Sequence, residues 1–95
     1  MASAGLEAFI DETIRLARLK GYHPTAFVAM RSRRGTVPAI STLVVSGDIQ
    51  SGFRRLRDLG LLDWSIEAAV LKFPDEFKRE VREAAEWRLR EASRG

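Results

Sequence analysis

The sequence predicts an all-α fold, a compact bundle of five or six short helices with a longer helix at the C-terminal end. Three observations carry this. Apolar residues recur at three-to-four spacing in almost every segment. Glycine and proline punctuate the chain at the ends of those segments. No stretch beyond the short "TLVVS" shows the two-residue alternation of a strand.

The first helix buries Leu6, Phe9, Ile10, Thr13, Ile14 and Ala17, with Asp11 and Arg15 paired one turn apart on the far side. Gly21 ends it as the left-handed C′ residue. Pro24 suits the first position of a second helix, where a missing N–H costs nothing. Phe27 and Met30 point inward there, and Gly35 stops it. Thr36 caps a third helix with Val37, Ile40, Leu43 and Val44 on its apolar side. "VSGDIQSG" is a turn region. A fourth helix follows, with Phe53, Leu56 and Leu59 inward and Arg54, Arg55, Arg57 and Asp58 outward; Gly60 ends it. Asp63 or Ser65 caps a fifth helix carrying Ile66, Ala69, Val70 and Leu71. Pro74 pushes Phe73 out of helical conformation and breaks the chain direction. Asp75 opens the last and longest helix, with Phe77, Val81, Ala84, Ala85, Trp87 and Leu89 inward. Asp75–Arg79, Arg79–Glu83 and Glu86–Arg90 pairs lace its outer side.

Ninety-five residues suit one domain, residues 1–95, with its core from about 6 to 90 and frayed termini. The composition, 45% hydrophobic and 31% charged, is that of a globular chain. With no cysteine, disulfides, thiolate metal sites and thiol nucleophiles are excluded. No apolar run reaches the roughly 18 residues of a membrane span, and "MASAGLEAF" is no signal peptide, so the cytoplasm is the expected location.

The net charge of +3 hides a segregation. Between Arg15 and Arg57 lie nine basic residues and one acid, a net +8; the remainder has seven basic residues against twelve acids, a net −5. Such asymmetry suits phosphate or an acidic protein partner. "TVPAISTLVV", "SGDI" and "SGFRRLRDLG" read as the two helices and turn of a weak helix-turn-helix. Arg54, Arg55 and Arg57 would then face the groove, with Arg31, Arg33 and Arg34 on phosphates. "WSIEAAVLKF" has helical rather than β-wing character, and the turn is longer than usual.

The succession "GYHPTAFVAM", "GTVPAISTLV", "GFRRLRDLGLLDWSIEAAVL" and "FPDEFKREVREAAEWRL" resembles an uncharacterised bacterial all-helical domain. The likeness runs from Gly21 to about Leu89, and the Gly60, Leu62, Asp63, Ser65, Glu67 junction is its most specific part. Leu61 and Trp64 depart from it, filling slots more often polar or aliphatic there. The resemblance implies the fold class, a bacterial source, and a stand-alone or appended accessory domain in a setting linked to mobile DNA or defence. It assigns no catalytic residue. It makes the junction a capped helix start, with Asp63, Ser65, Glu67 and, upstream, Pro24 in structural roles.

His23 is the single histidine, and no metal-ligand cluster, phosphate loop or nucleophile–base constellation accompanies it. No enzyme, cofactor or metal is expected. Trp87 is expected at the core edge; Trp64 stays open between core and surface. Two functions remain. The charge segregation puts a nucleic-acid surface made by Arg31, Arg33, Arg34, Arg54, Arg55 and Arg57 slightly ahead. The alternative is a protein-interaction or self-association module using an apolar patch near Trp64 or Leu19 with arginines at its rim. Whether the six arginines share one face separates them.

Overall fold

The computed structural model describes residues 2–46 and 51–94, with backbone alone at 51, 52, 93 and 94. The described residues form six α-helices and no strand: α1 (Ala4–Leu19), α2 (Thr25–Arg34), α3 (Thr36–Val45), α4 (Ser51–Asp58), α5 (Ile66–Lys72) and α6 (Arg79–Arg94). Single 3-10 turns at Leu62–Trp64 and Pro74–Glu76 flank α5. α1 and α6 are equally long, 16 residues each. α6 begins at Arg79 rather than Asp75, because the chain after Pro74 spends its first acids in the 3-10 turn and passes Phe77 in extended conformation.

One core runs through the molecule. Leu6, Ile10 and Ile14 of α1 meet Phe27, Ala39, Ile40, Val44, Ala69 and Val70, and Phe77, Val81 and Ala85 close it from the C-terminal side. α3 packs between α2 and α6, and α5 rests on α6 and α1. A smaller cluster joins Ala17, Leu56 and Leu61 to Tyr22, Leu59 and Trp64. Its origin is two helix ends of one design. At Gly21 (φ 86°), Tyr22 N–H donates to Ala17 O at 2.9 Å and Gly21 N–H to Arg18 O at 3.0 Å. At Gly60 (φ 74°), Leu61 N–H donates to Leu56 O at 2.8 Å and Gly60 N–H to Arg57 O at 3.1 Å. Both are Schellman ends, whose residue after the glycine folds back onto the last turn. Tyr22 therefore lands on Ala17, and Leu61 on Leu56.

The start of α3 differs from its expected form. Gly35, not Thr36, is the N-cap, at φ 96°, ψ 164°, a conformation open essentially to glycine alone. Thr36 is buried in the first turn, where its hydroxyl serves the network described below. Pro24 is the N-cap of α2, and its carbonyl accepts from Val28 N–H at 3.0 Å. Trp87 is 50% exposed and does not join the core, and Leu71 faces outward too. The core positions of α6 are Val81, Ala85 and the arginine at 88, which sets Trp87 about 100° off the buried stripe. Arg79 pairs with Glu83 at 3.4 Å; Glu86 and Arg90 form no ion pair.

Candidate functional site

α1 and α2 approach each other mainly through side chains, and the most elaborate polar site of the described residues lies between them. Glu7 and Asp11 stand one turn apart on α1, and Arg31 in the last turn of α2 reaches both. Its Nη2 donates to Glu7 Oε1 at 2.8 Å and its Nη1 to Asp11 Oδ1 at 2.9 Å. Its Nε donates to Thr36 Oγ1 at 2.9 Å, and the Thr36 hydroxyl donates to Glu7 Oε1. The guanidinium fork thus ties three helices together, as a planar five-donor group does well. The Thr36 hydroxyl and Arg31 together hold the Glu7 carboxyl below its ordinary pKa. Asp11 is thereby taken from Arg15, which instead binds Glu12 through both carboxylate oxygens at 2.6 and 2.5 Å.

The six candidate arginines have different fates. Arg31 is architecture, its guanidinium donating to Thr36, Asp11 and both the carboxylate and the carbonyl of Glu7. Arg57 pairs with Asp58 at 3.3 Å. Arg33, Arg34, Arg54 and Arg55 are exposed and have no acidic partner within ion-pair distance among the described residues. α2 and α4 come together at the start of α2, where Pro24, Ala26 and Phe27 line an apolar hollow of about 150 Å³ with Phe53 and Leu56. Arg34 lies eight residues beyond Ala26, about 12 Å further along the α2 axis. The α2 arginines therefore sit at the end of their helix remote from its meeting with α4.

The helix-turn-helix candidate fares in parts. α3 and α4 stand where its two helices are expected, but α3 is held by α2, α5 and α6, and α4 rests on the 3-10 turn at Leu62–Trp64. The intervening residues 47–50 lie outside the described ones. Trp64 is unsuited to stacking on a base, since its ring stacks on Phe9 with centroids 4.9 Å apart.

Beside Arg31 an open groove of about 520 Å³ runs between α1 and α2. The buried Ile14 and half-buried Val28 line it together with Asp11, Arg15, Arg18, Leu19 and Arg31. Leu19 is 70% exposed, the most exposed large apolar side chain among the described residues. α1 ends at Leu19, two residues past Ala17, and the chain turns away at Gly21. Arg18 has no ion-pair partner among the described residues. Of the groove's cations, Arg15 is held by Glu12 and Arg31 by Glu7 and Asp11, which leaves Arg18 beside the apolar strip.

The junction after Gly60 is structural. Ser65, fully buried, caps α5 by accepting from Ala68 N–H at 3.1 Å, and its hydroxyl donates to Leu62 O at 2.8 Å. Asp63 is exposed in the 3-10 turn. Glu67 is not a solvated first-turn acid: it is buried and bonded to Arg88 at 3.0 Å. Arg88 also donates to Ser46 O at 2.8 Å and Ser46 Oγ at 3.2 Å, joining α5, α6 and the end of α3. Burial raises the Glu67 pKa above its ordinary value, against the opposing pull of its own backbone N–H and of Arg88. This pair was accessible in the sequence, because Arg88 follows Val81, Ala84 and Ala85 on the apolar stripe of α6. No group of three or more metal-ligating side chains occurs among the described residues, and no helix of them is long and apolar enough to cross a membrane. No family model, curated protein or solved structure matches the chain.

Proposed function

We propose that this chain is a non-enzymatic protein-interaction module that seats an acidic, apolar-anchored segment in the groove between α1 and α2. The observation that carries the reading is Leu19, 70% exposed beside Arg18, which has no ion-pair partner among the described residues, in a groove lined by Ile14 and Val28. A lone exposed leucine is ordinary on a monomer's surface; it is the apolar lining beside it, rimmed by polar and charged groups, that has the pattern of an interaction site. Nucleic-acid binding is the second reading, supported by the four exposed arginines at 33, 34, 54 and 55. It ranks lower because Arg31 and Arg57 already hold acids, and freeing Arg31 would break the junction of three helices.

The test is fluorescence anisotropy with two labelled probes, an acidic helical peptide bearing one leucine anchor and a DNA duplex, at low and moderate salt. The expected result is peptide binding that is lost in Leu19→Asp/Arg18→Glu and kept when Arg33, Arg34, Arg54 and Arg55 are all alanine. Duplex binding with a steep salt slope, lost only in the four-alanine variant, would reverse the ranking.

A further inference from the structure

We infer that the apolar hollow where α1, α2 and α4 meet is a binding site for a small uncharged aromatic molecule of about one ring. The site is separate from the α1–α2 groove, with which it shares Ile14 alone among the described residues, and it stands whether or not the groove seats a segment. Five helices wall it: Ile14 comes from α1, Phe27 from α2, Leu43 from α3, Phe53 and Leu56 from α4, and Ile66 from α5. Four of these six are buried and Leu43 and Ile66 are half-buried, so the walls belong to the packed interior. The hollow measures about 150 Å³. Close-packed interiors leave few voids larger than one water molecule, whose share of the liquid is about 30 Å³.

The lining selects the guest. Two buried polar residues, Thr13 and Glu67, contribute to it, and both are already bonded. The Thr13 hydroxyl donates to Phe9 O at 3.0 Å, and the Glu67 carboxylate accepts from Arg88 at 3.0 Å. No buried side-chain polar atom of the described residues lacks a partner, so an ordered water gains none of the two to four bonds it needs from an orphaned group there. The Glu67 charge is balanced by Arg88, and an ionised guest would carry an uncompensated charge into an apolar space. A neutral ring pays no such penalty. Cavities of this size lined by Leu, Ile and Phe take up benzene. Phe27 and Phe53 add two aromatic rings for edge or face contact with such a guest. Ala26 is the one exposed residue among those described in the lining, and it marks the way in, at the start of α2.

Titration of the isotopically labelled chain with benzene and with toluene, read in methyl and backbone amide spectra, tests this. Saturable shifts are expected at Ile14, Leu43, Leu56 and Ile66, with a dissociation constant of about 1 mM or tighter, a strength so few heavy atoms can supply. Benzoate and benzylammonium carry the same ring with a charge and are expected to bind at least about tenfold more weakly. Ala26→Phe places a ring in the mouth from an exposed position and is expected to abolish the shifts. Ala29→Phe, exposed on the same helix and outside the lining, is expected to keep them. Circular dichroism checks that both variants fold. The inference is overturned if neither neutral ring gives saturable shifts, or if the shifts fall away from the hollow. Charged rings that bind as well as neutral ones, or benzene binding untouched by Ala26→Phe, overturn it equally.

Discussion

Replacing Arg88 with methionine isolates the largest buried electrostatic interaction in the fold. Both side chains of the Glu67–Arg88 pair are at most 3% exposed. Methionine keeps much of the arginine stem's volume and removes three hydrogen bonds, to Glu67 and to the carbonyl and hydroxyl of Ser46. The carboxyl is then buried without its counter-charge, a situation that costs about 3–5 kcal/mol. A domain of this length has about 5–14 kcal/mol of total stability, so the loss is a large fraction of it. The melting temperature should fall by about 12 °C or more. Because burial already raises the Glu67 pKa, its stabilising protonated state is complete below the ordinary value of 4.5 and lost as pH rises through the raised one. The Arg88→Met deficit is therefore largest at neutral pH and shrinks in acid, where Glu67 is neutral. A second change, Glu67→Leu, removes the orphaned charge and should return the double variant to within about 1 kcal/mol of wild type, apart from the Ser46 bonds. Urea unfolding followed by far-ultraviolet circular dichroism measures all four corners of the cycle; tryptophan emission is unsuitable because Trp87 adjoins the site. Two results would refute the reasoning: an Arg88→Met cost below about 1 kcal/mol, or a double variant that loses the sum of the two single costs.

Three further outcomes follow from local geometry. Ser65→Ala should cost about 1–2 kcal/mol in the same unfolding assay, since it removes the α5 cap and the bond to Leu62 O at a buried position. Gly35→Ala should cost about 1–3 kcal/mol by thermal melting; the added Cβ has room, 3.7 Å from Pro38 Cδ, so the penalty comes from the φ of 96°. Glu7, its pKa lowered by Thr36 and Arg31, stabilises the fold above pH 4.5 and ceases to as pH falls through its lowered value. Thr36→Val should therefore flatten the loss of stability below pH 4.5, seen as a smaller difference between melts at about pH 3 and pH 5.

Helix ends and apolar stripes were legible in the sequence because they depend on neighbours a few residues away. Gly21, Gly60 and Ser65 act through bonds to residues within one turn or so, and their residue types announce them. The unread parts all involve partners far along the chain. Asp11 looks paired to Arg15 until Arg31, 20 residues away, outbids it with a fork that also holds Glu7 and Thr36. Glu67 and Arg88 are 21 residues apart, and each alone has the composition of a surface charge. Trp87 reads as core by its size, yet the helix phase fixed by Val81, Ala85 and Arg88 turns it outward. The same long-range pairing divided the six arginines: local pattern makes them one basic set, and only the placement of α1 acids beside α2 removes Arg31 from it.

Where a partner perturbs the molecule tests the α1–α2 groove most directly. Backbone amide spectra of the isotopically labelled protein, recorded while an acidic leucine-anchored helical peptide is titrated in, resolve this residue by residue. The predicted result is a set of shifts confined to Asp11–Leu19 and to Val28–Arg31, scaling with peptide and shrinking as salt is raised. Shifts centred instead on Arg33, Arg34, Arg54 and Arg55, elicited by duplex DNA while the peptide leaves the α1 signals unmoved, would contradict it.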